Sequence, residues 1–229
     1  MLKFEITDIH SANLKAKLKR IGVQKSSEKE FKTEIESFLE QVKKAPSEDD
    51  IRARIKELFV TLNVCPSKDI ILEKNKVDLS LMSRNGKHIS SIIEVKHPSN
   101  QEMLKINDGN RKAFRELIWY FLNEISTDGI IKNQELETLI ATDGIRWFIF
   151  SAKDFYNIFG KGDFSKTYKN FKNGKYGNTT DDFYRLAQKF LDETEISVPC
   201  VYFDFSEKYS TNDIKIVQGI LSLILYASR

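Results

Sequence analysis

A chain of 229 residues, with 41% hydrophobic and 30% charged side chains, carries enough apolar content for a sizeable core. Its net charge of +3 is too small to mark a nucleic-acid binder by itself, so any basic surface must arise from how the charges are distributed, and its hydrophobic fraction excludes an intrinsically disordered chain. Cys65 and Cys200 form neither a disulfide framework nor a metal-ligand cluster, as expected for buried thiols in a reducing compartment. The N-terminus is charged at once and lacks a signal-peptide core. The longest apolar run, Ile216 to Ala227, is interrupted by Gln218 and Gly219 and is too short to span a bilayer. A cytoplasmic protein without a membrane segment is expected.

Residues 1–25 are basic (Lys15, Lys17, Lys19, Arg20, Lys25) and read as an N-terminal arm; residues 26–229 read as the folded domain. Phe31, Ile35, Phe38, Leu39 and Val42 recur at helical spacing. Pro46-Ser47 breaks this helix, and Ser47 with Asp50 forms a capping-box signal for a second one, whose stripe is Ile51, Ile55, Leu58 and Leu62. Period two follows: Ile70 to Leu72, then Val77, Leu79 and Leu81 alternating with Asp78, Ser80 and Met82. Asn85-Gly86 marks a turn into Ile89 to Val95, closed by Pro98. This predicts an antiparallel meander.

A long amphipathic helix is predicted from about Arg111, burying Ala113, Phe114, Leu117, Ile118, Phe121 and Leu122. Strands are predicted at 138–142 and 146–150 around an Asp143-Gly144 turn, and a helical segment at 152–159. Residues 161–176 are rich in Lys, Asn and Gly and read as a loop. Helix 181–191, strand 198–203 and helix 213–226 complete an α/β chain, a central mixed β-sheet with helices packed around it.

The chemistry concentrates in Val77-Asp78 and Ile92-Ile93-Glu94-Val95-Lys96. Hydrolysis of a phosphodiester needs a hard cation, a water activated near it, and relief of charge on the leaving oxygen. Two carboxylates suit Mg²⁺, which otherwise keeps several waters. A lysine two residues beyond the second acid lies on the same strand face, about 6–7 Å along, where it can orient the water or stabilise developing charge. If paired residues sum to 172, Asp78 faces Glu94 while Val77 faces Val95 and Leu79 faces Ile93, so chemistry and apolar alternation ask for one register. That register calls for an odd-length loop around Asn85-Gly86-Lys87.

Glu48 falls on the stripe with Ile51, Ile55 and Leu58. It is either a further acid of the site or a partner of the helix dipole beside Asp49 and Asp50. His97 reads as a turn residue. Lys112 and Arg115, with Lys169 and Lys172 in the 161–176 segment, are candidate phosphate contacts, or else members of solvated faces.

The run Ile93-Glu94-Val95-Lys96-His97-Pro98-Ser99-Asn100, and the helix bearing Lys112-Ala113-Phe114-Arg115-Glu116-Leu117, resemble the N-terminal nuclease module of single-chain, type IIG-like restriction–modification enzymes. These enzymes belong to the PD-(D/E)XK nuclease superfamily. Ala141-Thr142-Asp143-Gly144-Ile145-Arg146-Trp147-Phe148-Ile149-Phe150 and Thr179-Thr180-Asp181-Asp182-Phe183-Tyr184 extend the resemblance over roughly residues 31–191. It implies a restriction-endonuclease-like fold and Mg²⁺-dependent cleavage of double-stranded DNA, with Mn²⁺ as a substitute. Asp78, Glu94 and Lys96 would be catalytic, with Glu48 as the upstream acid and the metal at Asp78, Glu94 and Val95. Where many relatives carry a glutamine on the following helix, this chain shows Lys112 and Arg115.

The resemblance further implies methyltransferase and target-recognition domains outside this chain, since no Asn-Pro-Pro-Tyr motif or glycine-rich methyl-donor loop occurs in it, and a transient dimer on DNA. The alternatives are the nuclease portion of a translocating, type I-like complex whose motor lies elsewhere, and a catalytically silent DNA-binding or assembly module.

Overall fold

In the computed structural model, residues 2–7, 28–62, 65–74, 76–83, 85–127, 130–131, 133–207 and 216–221 are described. In chain order they form β1 (Leu2–Thr7), α1 (Glu28–Lys44), α2 (Glu48–Thr61), β2 (Ile70–Lys74), β3 (Val77–Met82) and β4 (Ile89–Val95). After α3 (Lys112–Ile125) comes a small ribbon of β5 (Ser126–Thr127) and β6 (Ile130–Ile131), then β7 (Thr138–Thr142) and β8 (Arg146–Ser151). A short α4 (Ala152–Phe155) continues as a π turn over Tyr156–Gly160, followed by α5 (Gly162–Lys172), α6 (Thr180–Glu193) and β9 (Ile196–Asp204). Residues 216–221 are helical.

Seven strands make one mixed sheet in the order β1-β9-β8-β7-β4-β3-β2. The meander β2-β3-β4 is antiparallel, β4 pairs with β7 in parallel, and β1 pairs with β9 in parallel. One face is covered by α1, α2 and helical residues 216–221, which bury Phe31, Ile51 and Ile55 against Leu79, Ile93, Trp147 and Phe203. The other face is covered by α3 to α6, around Phe114, Phe121, Phe150, Phe155 and Phe183. β4 is therefore buried along its whole length. A carboxylate placed on it loses water unless something in the site replaces that water.

The predicted register holds at Leu79↔Ile93, Ser80↔Ile92 and Leu81↔Ser91. The expected odd-length connection does not: Ser83 N–H donates to the His88 carbonyl at 2.8 Å, next to the pair Met82↔Ile89. A bulge supplies the odd residue instead. The pairing moves to Met82↔Ile89, leaving Ser90 as the extra residue of β4, with its hydroxyl donating to the Leu81 carbonyl at 3.1 Å. Gly86, at φ +67, takes the left-handed position in this loop.

Two further expectations are corrected. Residues 2–7, read as the start of a basic arm, are an edge strand of the sheet, where Leu2, Phe4 and Ile6 alternate with polar residues; residues 8–25 of that arm lie outside the described residues. The segment read as a loop at 161–176 contains α5, because Phe164, Tyr168 and Phe171 recur at helical spacing and are buried together. The predicted helix at 213–226 is described only at 216–221. Both cysteines are buried, as expected. No helix among the described residues is long and apolar enough to cross a membrane.

Candidate active site

The meander brings Asp78 and Glu94 together. Extending the observed register by one residue sets them side by side, and Val95 N–H donates to Asp78 Oδ2 at 2.8 Å. Lys96 follows β4 directly, its own N–H held by the Thr142 carbonyl at 2.9 Å. The Lys96 ammonium lies 2.5 Å from Glu94 Oε1 and 2.7 Å from Glu116 Oε2. Glu94, Lys96 and Glu116 are 1%, 5% and 7% exposed, so this is a desolvated charge cluster.

Burial raises the pKa of Glu94, and the neighbouring Glu116 charge raises it further, while Lys96 opposes both. Glu94 Oε2 is buried with no hydrogen-bond partner. Burial also raises Asp78, although the Val95 N–H and the Arg52 charge pull the other way. Burial works against the charge of Lys96, but Glu94 and Glu116 outweigh it and raise its pKa, so Lys96 stands as an ammonium. Tyr120, one turn beyond Glu116, is raised by burial and by both glutamates.

Two members of this cluster were not singled out from the sequence. Glu116 sits one residue past Arg115. The available signal was an acid three residues after Ala113 and four before Tyr120, on the buried side of α3. Arg52, on α2, lies 3.2 Å from Asp78 Oδ1 and 2.9 Å from Glu73 Oε1, and also pairs with Asp49. Its signal was weaker, a position one helical turn beyond Glu48.

Glu48 caps a different feature. Its Oε1 accepts the His97 N–H at 3.0 Å and the Asn100 amide at 2.9 Å, fastening the start of α2 to the chain leaving β4. His97 is a turn residue, as expected, with Nε2 3.2 Å from the Ala45 carbonyl.

The basic candidates are mostly engaged within the chain. Lys112 borders the site, 3.3 Å from Glu102 and 3.9 Å from Glu116. Arg115 donates to the Asn110 carbonyl and side chain. Lys172 stands over the rings of Trp119 and Tyr168, at 5.7 and 5.9 Å, while Lys169 is exposed on α5. None of these bonds brings Arg115, Lys169 or Lys172 to the Asp78 carboxylate.

Among the described residues no group of three or more His, Cys, Asp or Glu side chains is arranged to hold a metal ion. Of the expected metal ligands Asp78, Glu94 and Val95, the structure brings the two carboxylates side by side, with Val95 N–H bonded to Asp78. That carboxylate pair fits a hard divalent cation that keeps most of its waters, and the orphaned Glu94 Oε2 is an oxygen such a cation would satisfy.

The model of one family, described as a domain of unknown function (DUF7149), matches residues 9–223. No curated protein and no solved structure matches the chain.

Proposed function

The chain belongs to the DUF7149 family, and we propose that it is a Mg²⁺-dependent DNA endonuclease module with a restriction-endonuclease-like fold, hydrolysing phosphodiesters of double-stranded DNA within a restriction–modification system. The observation that carries this reading is the buried cluster itself. Two carboxylates on paired strands stand beside a lysine ammonium, and one carboxylate oxygen, Glu94 Oε2, has no donor. Leaving a buried oxygen unsatisfied costs about 1–3 kcal/mol, a cost that a bound cation would relieve.

Bound Mg²⁺, or Mn²⁺ in its stead, supplies Lewis acidity and a water of lowered pKa. Asp78 and Glu94 supply the hard oxygen donors, with Asp78 oriented by the Val95 N–H. Lys96 supplies an N–H donor to position the attacking water and to offset charge developing on the phosphorus oxygens. Glu116 holds Lys96 from the helix side, so the ammonium does not swing away from the strand. Target recognition and methylation belong in this reading to partner domains, and two such modules meet transiently on DNA for a double-strand cut.

A second reading, a catalytically silent DNA-binding or assembly module, is favoured by one observation: Arg52 and Lys96 already balance Asp78 and Glu94 without a metal. Incubation of the chain with supercoiled plasmid and Mg²⁺ or Mn²⁺ separates the two. The nuclease reading expects nicked or linear product from the wild type, lowered at least about a hundredfold in Asp78→Ala and Lys96→Ala. Metal-independent DNA binding with no cleavage would instead support the silent module.

A further inference from the structure

Arg52 has no part in the chemistry above, yet it is tied into the site more closely than any candidate phosphate contact. The same nitrogen, Nη1, lies 3.2 Å from Asp78 Oδ1 and 2.9 Å from Glu73 Oε1, while Nη2 pairs with Asp49. The Arg52 side chain is largely covered, at 12% exposure, whereas the Asp49 and Glu73 side chains are largely exposed. The β2–β3 pairs Leu72↔Leu79 and Lys74↔Val77 set Glu73 across from Asp78, so two acids face each other over a strand pair with Arg52 between them. Glu73 also sits at φ +54, a left-handed backbone that a non-glycine residue adopts only under constraint. Arg52 Nε is buried without a partner. The side chain is held by its tips alone, unlike a fully satisfied structural ion pair.

Building on the functional reading above, we propose that Arg52 is a built-in counter-cation on Asp78 that a divalent metal displaces, with Asp49 and Glu73 receiving the guanidinium as it leaves. The hand-over needs little travel, because Nη1 is already shared between Asp78 and Glu73. No bond is made or broken. One positive charge moves from Asp78 toward two exposed carboxylates while a divalent charge takes its place. Metal affinity is then set by two opposed contributions: Arg52 competes for Asp78, and Glu73 and Asp49 weaken that competition.

The test is Mn²⁺ binding to the full chain by titration calorimetry, with circular dichroism confirming that each variant is folded. Arg52→Gln is expected to bind Mn²⁺ on the order of tenfold more tightly, since it removes an adjacent positive charge and the competitor together. Glu73→Gln is expected to weaken binding several-fold in the wild-type background and to have little effect in the Arg52→Gln background, because its role acts through Arg52. If Arg52→Gln does not fold, Arg52→Lys carries the same comparison: a point ammonium bridges the two acids less well, and tighter binding is again expected. Unchanged or weaker binding in the Arg52 variant, or additive effects in the double variant, would overturn the inference while leaving the nuclease reading intact. That outcome is recognised by wild-type binding that Asp78→Asn abolishes. A wild-type chain that binds no Mn²⁺ would overturn the functional reading and this inference together.

Discussion

Glu94 is a carboxylate held where an amide would fold more comfortably. Its Oε2 is buried without a donor, and the acidic neighbours Glu116 and Asp78 both act against its charge. Functional sites are where such local cost persists, because the interaction that relieves it comes from a ligand or a transition state. Glu94→Gln is therefore expected to leave the thermal midpoint equal to or above that of the wild type, while plasmid cleavage is lost. The pH dependence has a definite sign. The folded-state pKa of Glu94 lies above its unfolded value, so the folded chain holds this proton more tightly. The associated stability is fully present below the ordinary glutamate range and is lost as pH rises through the raised value. Glu94→Gln removes that contribution, and the fall in stability over this window is expected to be shallower in the variant. A variant with a markedly lower midpoint at neutral pH would mean that the charge of Glu94 is structural.

Elements differ in how plainly their sequence announces them. The capping box that starts α6 is explicit in Thr179-Thr180-Asp181-Asp182. The Thr179 hydroxyl accepts from Asp182 N–H at 3.1 Å, and Asp182 Oδ2 accepts from the Thr179 N–H at 3.1 Å. The Thr179 side chain and backbone, with Arg185, lower Asp182 to about 2. Its stabilising contribution is present above the unfolded aspartate value and lost as pH falls toward 2, so Asp182→Asn is expected to lose α6 helicity at neutral pH and to show a weaker acid transition. A carboxyl-carbon NMR titration that found Asp182 at the ordinary value would contradict this. The start of α2 was equally legible, since Ser47 with Asp50 forms its N-cap.

Other elements were hidden for physical reasons. β1 alternates only Leu2, Phe4 and Ile6, and its partner β9 lies at the far end of the chain, so no local pattern reveals the pairing. α5 was obscured by its lysines and asparagines, although Phe164, Tyr168 and Phe171 already stood at helical spacing. Asp78, Glu94 and Lys96 were legible because strand alternation puts them on one face. Arg52 and Glu116 were not, because a charged side chain on a helix reads as solvated until the sheet is set against it.

At the scale of the whole molecule, the site lies where β4, the strand buried along its whole length, ends between antiparallel β3 and parallel β7. Arg52 reaches Asp78 from α2, and Lys96, directly after β4, is braced by Glu116 of α3. Glu48 ties α2 to His97 and Asn100, in the chain leaving β4, at the same end. The fold thereby gathers three acids, Asp78, Glu94 and Glu116, around Lys96 and Arg52 at one end of the sheet.

The most direct test of this account is a crystal of the chain soaked in Mn²⁺ and measured at the manganese absorption edge. An anomalous peak bound by the Asp78 and Glu94 carboxylates is expected, with the Arg52 guanidinium moved off Asp78 toward Asp49 and Glu73. A map without a peak there, with the Arg52–Asp78 and Lys96–Glu94 pairs intact at saturating Mn²⁺, would contradict it and identify the cluster as a closed structural ion network.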